Sequence, residues 1–220
     1  MARKGITEFD LDAPSLSKGE RSEFRYQTRS LTSLIEQHLV GKYKHGKAWK
    51  VLVEVVPSIT FPEHRDLLGA LTVQVRGIPS DLLARQSDSA KCEMSLLWLT
   101  QGVRQLSEEI GLDAAEFESA AATVRSTEFR NVRQWVKPRR SPDGMHAADI
   151  VVEHKVHEAL IIGRVFDRHG VEVTRQLLAT ELPDEFSFSA RIGELTWLDD
   201  QRIQLSSRTG LDPLTFDLLP

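Results

Sequence analysis

The clearest periodicity in the chain runs through Cys92, Leu96, Leu99, Val103, Leu106 and Ile110, at steps of 4, 3, 4, 3 and 4 residues. Those steps place the apolar side chains on one stripe of a helix. Gly111 follows as a residue suited to the left-handed turn at a helix end, and Leu112 can make the hydrophobic contact that closes such a cap. Asp113 then starts a second helix, with Glu116 at the capping-box position and Phe117, Ala121 and Val124 on its inner side. Two helices joined by so short a corner pack against each other or bend around a sheet.

Upstream, Leu31, Leu34, Ile35, His38 and Leu39 recur at helical spacing, which predicts a helix from near Ser30 to Gly41. Residues 1–27 show only scattered Phe9, Leu11, Leu16 and Phe24, and read as a polar N-terminal arm. The period then changes to two. Trp49, Val51, Val53 and Val55 alternate with Lys50 and Glu54, and Leu71, Val73 and Val75 alternate with Thr72, Gln74 and Arg76. Both segments read as strands with one wet face, the pattern of an antiparallel sheet. Pro57 and Pro62 lie between them, so the connection is no tight hairpin.

From about residue 131 short β-branched and aromatic runs dominate: VRQWV, DIVVEHKV, ALIIGRVF, VEVTRQLL, FSFSARI, ELTWL and RIQLS. SPDG at 141–144 and DRHG at 167–170 supply turn chemistry between them. The resulting expectation is an α+β fold, a mostly antiparallel sheet with a C-terminal β-meander and three to four helices on one face. A part from 28 to 128 carries the main helices and a β-rich part runs from 129 to 220; one merged domain fits the pattern equally well.

Composition narrows the function classes. One cysteine among 220 residues cannot form an internal disulfide or a multi-cysteine zinc site. No apolar run approaches a membrane span or a signal peptide, so the expected location is the cytoplasm, with no membrane partner. Cys92 sits on the apolar stripe and reads as a core residue. The formal net charge of −4 is unevenly spread: residues 1–140 hold 21 basic and 18 acidic groups, whereas residues 141–220 hold 7 and 14.

Several short motifs invite a chemical reading. GKYKHGK at 41–47 follows a P-loop as far as Lys47, but Ala48 replaces the hydroxyl residue that should hold magnesium, and a helix precedes the segment where a strand should. HRDL at 64–67 lacks the metal-binding asparagine of the kinase catalytic loop, because position 71 is Leu71. SLSK at 15–18 has no partner motif.

A fourth motif has more substance. Pro142 and Asp143 are followed by Glu153, His154 and Lys155, which resembles the PD-(D/E)xK nuclease pattern. The resemblance implies a metal-dependent nuclease, with Asp143 and Glu153 holding Mg or Mn and Lys155 beside the attacking water. Asp149 could add a further oxygen. Against this, Pro-Asp is already explained as a turn, and nine intervening residues leave little room for the strands that family uses. His154 and His157 form a second metal idea, but on a strand their spacing puts the rings on opposite faces.

The strongest local charge lies at Arg125, Arg130, Arg133, Lys137, Arg139 and Arg140, with Trp135 interleaved. Strict alternation would put Trp135 among the charges, a surface suited to nucleic acid. A smaller group, Lys42, Lys44, Lys47 and Lys50, surrounds Tyr43 and Trp49. The reading these features favour is a non-enzymatic, cofactor-free protein that binds another protein through its acidic β-rich half. Small inhibitors of the immunity-protein type share that profile of size and charge, by analogy of class alone. The alternative is the nuclease or nucleic-acid binder, and the charge asymmetry also suits self-association.

Overall fold

The computed structural model describes residues 5–39, 43 and 45–218. Gly41, Lys42 and Lys44, three residues of the P-loop-like segment, lie outside the described residues. The chain divides into two compact units, Met1–Arg130 and Asn131–Pro220. Each has its own core.

The first unit begins with β1 (Glu8–Asp12) and α1 (Lys18–Leu39). The polar-arm reading of residues 1–27 is therefore corrected. Phe9 and Leu11 are completely buried, and Ser17 and Glu20 form a capping box: the Ser17 N–H donates to the Glu20 carboxylate and the Glu20 N–H to the Ser17 hydroxyl. That box starts the helix well before Ser30. The weak period has a cause, since the inner face of α1 buries Gln27, Thr28 and Ser30 beside Phe24 and Leu31.

After β2 (Lys50–Val56) come β3 (Arg65–Leu67) and β4 (Ala70–Arg76), and the sheet order is β1-β2-β4-β3. β1 and β2 pair parallel, β2 and β4 pair parallel, and only β3 runs antiparallel to β4. The antiparallel expectation for the 49–55 and 70–76 strands is thus overturned. The polar face is only half-buried at Lys50, Glu54 and Thr72, and Gln74 on it is buried, while α3 covers the valine face. Strand direction is set by the long crossover through residues 57–64 and β3.

The helices are α2 (Pro79–Leu83), α3 (Asp88–Ile110) and α4 (Ala114–Ser126). Ser87 caps α3, Gly111 ends it in the left-handed conformation, and Asp113 accepts the Ala115 and Glu116 N–H groups at the head of α4. α3 crosses β2 and β4 so closely that a Cβ on Gly102 would lie 2.5 Å from Val53. The open edge of β1 is covered by α1: Glu36 accepts the Phe9 N–H at 2.9 Å, Arg29 donates to the Phe9 carbonyl at 3.3 Å, and the two side chains pair with each other. This is how the sheet avoids an unpaired edge.

The second unit is a meander of β5 (Val132–Arg140), β6 (His146–His154), β7 (Ala159–Asp167) and β8 (Glu172–Glu181), followed by α5 (Glu185–Arg191). A separate three-stranded sheet, β11-β10-β9, is built from β9 (Leu195–Trp197), β10 (Arg202–Leu205) and β11 (Leu214–Asp217). All pairings in this unit are antiparallel. Ile150, Val152, Ile161 and Val165 on one face of the meander pack with Phe188, Ile203, Leu205 and Phe216. Gly163 makes this possible, because a Cβ there would lie 2.7 Å from the Phe216 ring. One strand expectation fails: FSFSARI is α5. Asp184 accepts the Ser187 N–H as its N-cap, and the alternating phenylalanines part ways, Phe188 into the core and Phe186 outward.

Candidate functional site

The residues of the nuclease-like motif are held apart by β6. Asp143 sits in the turn before the strand, where its carboxylate accepts the Ser141 hydroxyl at 2.6 Å and the Met145 N–H at 2.9 Å. Those bonds hold its carboxyl below the usual range. Glu153 lies near the far end of the strand and takes the Arg175 guanidinium at 2.6 Å. From His146 to Glu153 are seven steps of about 3.3 Å, so roughly 23 Å of strand intervene. Metal ligands must converge to within a few ångströms. Lys155, in the β6–β7 turn, pairs loosely with Glu158 at 3.4 Å. The geometry therefore does not assemble Asp143, Glu153 and Lys155 into one centre. Among the described residues no group of three or more His, Cys, Asp or Glu side chains is placed to hold a metal.

The histidines are likewise separated. His154 ends β6 on the core side, 4% exposed, with its ring 5.4 Å from that of Phe188. His157 is exposed in the turn beyond.

The basic stretch divides between the two units. Arg125 belongs to α4 and pairs with Glu93 of α3 at 3.0 Å. Arg130 is the last residue of the first unit and is exposed. Arg133, Lys137, Arg139 and Arg140 all lie on β5, an edge strand of the meander. Trp135 does not stand among them as alternation requires. The register with β6 slips between Gln134 and Val136, so Trp135 is the extra residue of a β-bulge and turns toward the core. Its ring meets Phe188 edge-on at 5.1 Å, and of the basic residues Arg133 reaches it, 5.3 Å from the centroid. A second slip falls between Val136 and Arg139. Charges, two irregularities and Pro138 on one edge strand are the standard means of discouraging further strand pairing.

A feature of the second unit with the geometry of a binding site is a pocket of about 480 Å³ on the meander face turned away from its core. Its floor is an ion pair. Asp149 is fully buried, and Arg164 reaches it with two bonds, Nε to Oδ1 at 2.9 Å and a terminal nitrogen to Oδ2 at 2.7 Å. Gln134 donates to the same Oδ2 at 2.5 Å. β6 and β7 pair Asp149 directly with Arg164, so the floor follows from sheet register.

The walls come from the hairpin ends. Arg140, Met145 and His146 flank the β5–β6 turn; Phe166, Arg168 and Gly170 flank the β7–β8 turn. Asp167 is occupied within its own turn, where it accepts the Val171 and His169 N–H groups, and these bonds hold its carboxyl below the usual range. No family model, curated protein or solved structure matches the chain.

Sequence reasoning singled out Arg140 and Asp149 of this pocket but missed Arg164, Phe166 and Arg168. One signal was available. Asp149 and Arg164 are equidistant from the 155–158 turn, so an antiparallel hairpin centred there must bring them face to face.

A second surface feature stands at the start of α5. Phe186 is 87% exposed and Leu182 is 52% exposed. Glu181, Asp184 and Glu185 surround them in sequence.

Proposed function

We propose that this chain is a non-enzymatic interaction protein that covers part of a basic protein partner, with Phe186 as its anchor. The observation that carries the reading is the 87% exposure of a phenylalanine near an exposed leucine, with Glu181, Asp184 and Glu185 in the same short segment. Leaving such a ring in water forgoes about 2 kcal/mol that burial would return. Interface anchors are typically aromatic side chains ringed by polar groups. The excess of 14 acidic over 7 basic residues in 141–220 supports a basic partner, since complementary charge speeds encounter and suppresses wrong pairings. An inhibitor of the immunity type, which blocks a toxin or enzyme by covering its working surface, is the form of this function we favour.

Affinity capture with the full chain, followed by titration of the purified partner, tests the proposal. Phe186→Ala is expected to weaken binding by at least about tenfold, Leu182→Ser to add to the loss, and raised salt to slow association. The partner's own activity should fall as the complex forms. A partner bound equally well by the Phe186→Ala, Leu182→Ser double variant would remove the reading.

A further inference from the structure

The pocket on the outer face of the meander has a chemistry separate from the Phe186 surface. Its floor charge is already neutralised, because Asp149 is matched by Arg164 and Gln134. Asp167 is engaged by backbone N–H groups of its own turn. Two further guanidinium groups, Arg140 and Arg168, are exposed in the walls of different hairpins; neither has a carboxylate within ion-pairing distance among the described residues, and Arg168 uses only its Nε, which donates to His169 Nε2 at 3.1 Å. Between them stand the half-buried Phe166 ring and Met145. The ring already carries one guanidinium, with Arg164 at 4.9 Å from its centroid. His146 also lines the pocket.

These groups ask for one kind of occupant. Guanidinium groups without a carboxylate partner turn their terminal nitrogens onto phosphate or carboxylate oxygens, and a pocket of this size, with an aromatic and a thioether side chain in its wall, suits a small organic molecule. We propose that the pocket is a binding site for a small organic anion, a phosphate or carboxylate attached to a flat ring, held by Arg140 and Arg168 with the ring against Phe166. The ligand ties together the tips of two different hairpins, which no bond described above does.

Isothermal titration of the full chain with four probes tests this: adenosine monophosphate, adenosine, benzoate and inorganic phosphate. The expected result is saturable binding of adenosine monophosphate or benzoate with Kd below about 1 mM, and no binding of uncharged adenosine. Which of the two binds distinguishes phosphate from carboxylate. The Arg140→Glu, Arg168→Glu double variant should lose at least about tenfold in affinity. NMR shifts on binding should centre on residues 144–147 and 166–170. If the charge reversals disturb folding, Arg140→Gln and Arg168→Gln carry the same expectation, with an unchanged thermal midpoint as the control.

Silence of all four probes at about ten times that concentration overturns the proposal. So does adenosine binding as tightly as its phosphate, or a double variant that binds like the wild type. Inorganic phosphate binding as tightly as both ring-bearing anions would overturn the ring contact. Because Phe186 takes no part, its substitution leaves these titrations unchanged, and failure here says nothing against the protein-partner reading.

Discussion

Single side chains in this protein are decided by what surrounds them more than by what they are. Phe186 and Phe188 are two residues apart, yet one is 87% exposed and the other 1%. Their alternation looks like a strand, and only the Asp184 cap reveals the helix that sends them apart. Cys92 was legible from its place on the apolar stripe, and it is buried. Burial pushes its thiol up to about 12, so at pH 8 roughly one thiol in ten thousand is ionised. Native protein at pH 8 is therefore expected to resist a disulfide-exchange reagent such as dithionitrobenzoate, and to react fully in denaturant. Rapid labelling of the native chain would contradict the burial. Trp135 illustrates the opposite case. Alternation assigns it to the charged side, and a bulge that no composition signal announces returns it to the core.

At the level of elements, the corner between α3 and α4 was the most legible feature, and strand direction in the first sheet the least. Gly111 and Asp113 act where the pattern placed them, because capping is local chemistry. Whether β2 and β4 run parallel depends on a crossover path that leaves no periodic trace. The Asp149–Arg164 pair lies between these cases, since it can be read once the 155–158 turn is known. That pair carries a prediction about β6 and β7. Asp149 is fully buried, so Asp149→Ala removes the main partner of Arg164, leaving it Glu172 at 3.7 Å, and should cost about 2 kcal/mol in urea unfolding. Replacing both partners, Asp149→Leu with Arg164→Met, should restore most of that loss. A single variant costing under about 1 kcal/mol would show that the pair is not holding the strands.

For the molecule as a whole, the sequence conveyed an α+β chain with a β-rich second half, and the structure resolves it into two units with separate cores. No helix among the described residues is long and apolar enough to cross a membrane. The candidate site was less legible than the fold. Its arginines come from two strands and a turn, and convergence of that kind follows from register and not from spacing along the chain. Since the second core draws its buried residues from 148–216 alone, residues 131–220 expressed by themselves should fold, with β-rich circular dichroism and one cooperative melt. A fragment without a melting transition would refute that autonomy.

The four tryptophans divide along the same line. Trp49 donates its indole N–H to the Leu68 carbonyl at 3.0 Å, and Trp98 packs against Phe24 with centroids 6.0 Å apart. Trp135 meets Phe188, and Trp197 donates to the Arg139 carbonyl at 2.8 Å. Each unit thus carries its own pair of intrinsic fluorophores. Exchanging Trp49 and Trp98 for phenylalanine leaves a chain whose emission reports on residues 131–220 alone, and the reciprocal exchange silences that half.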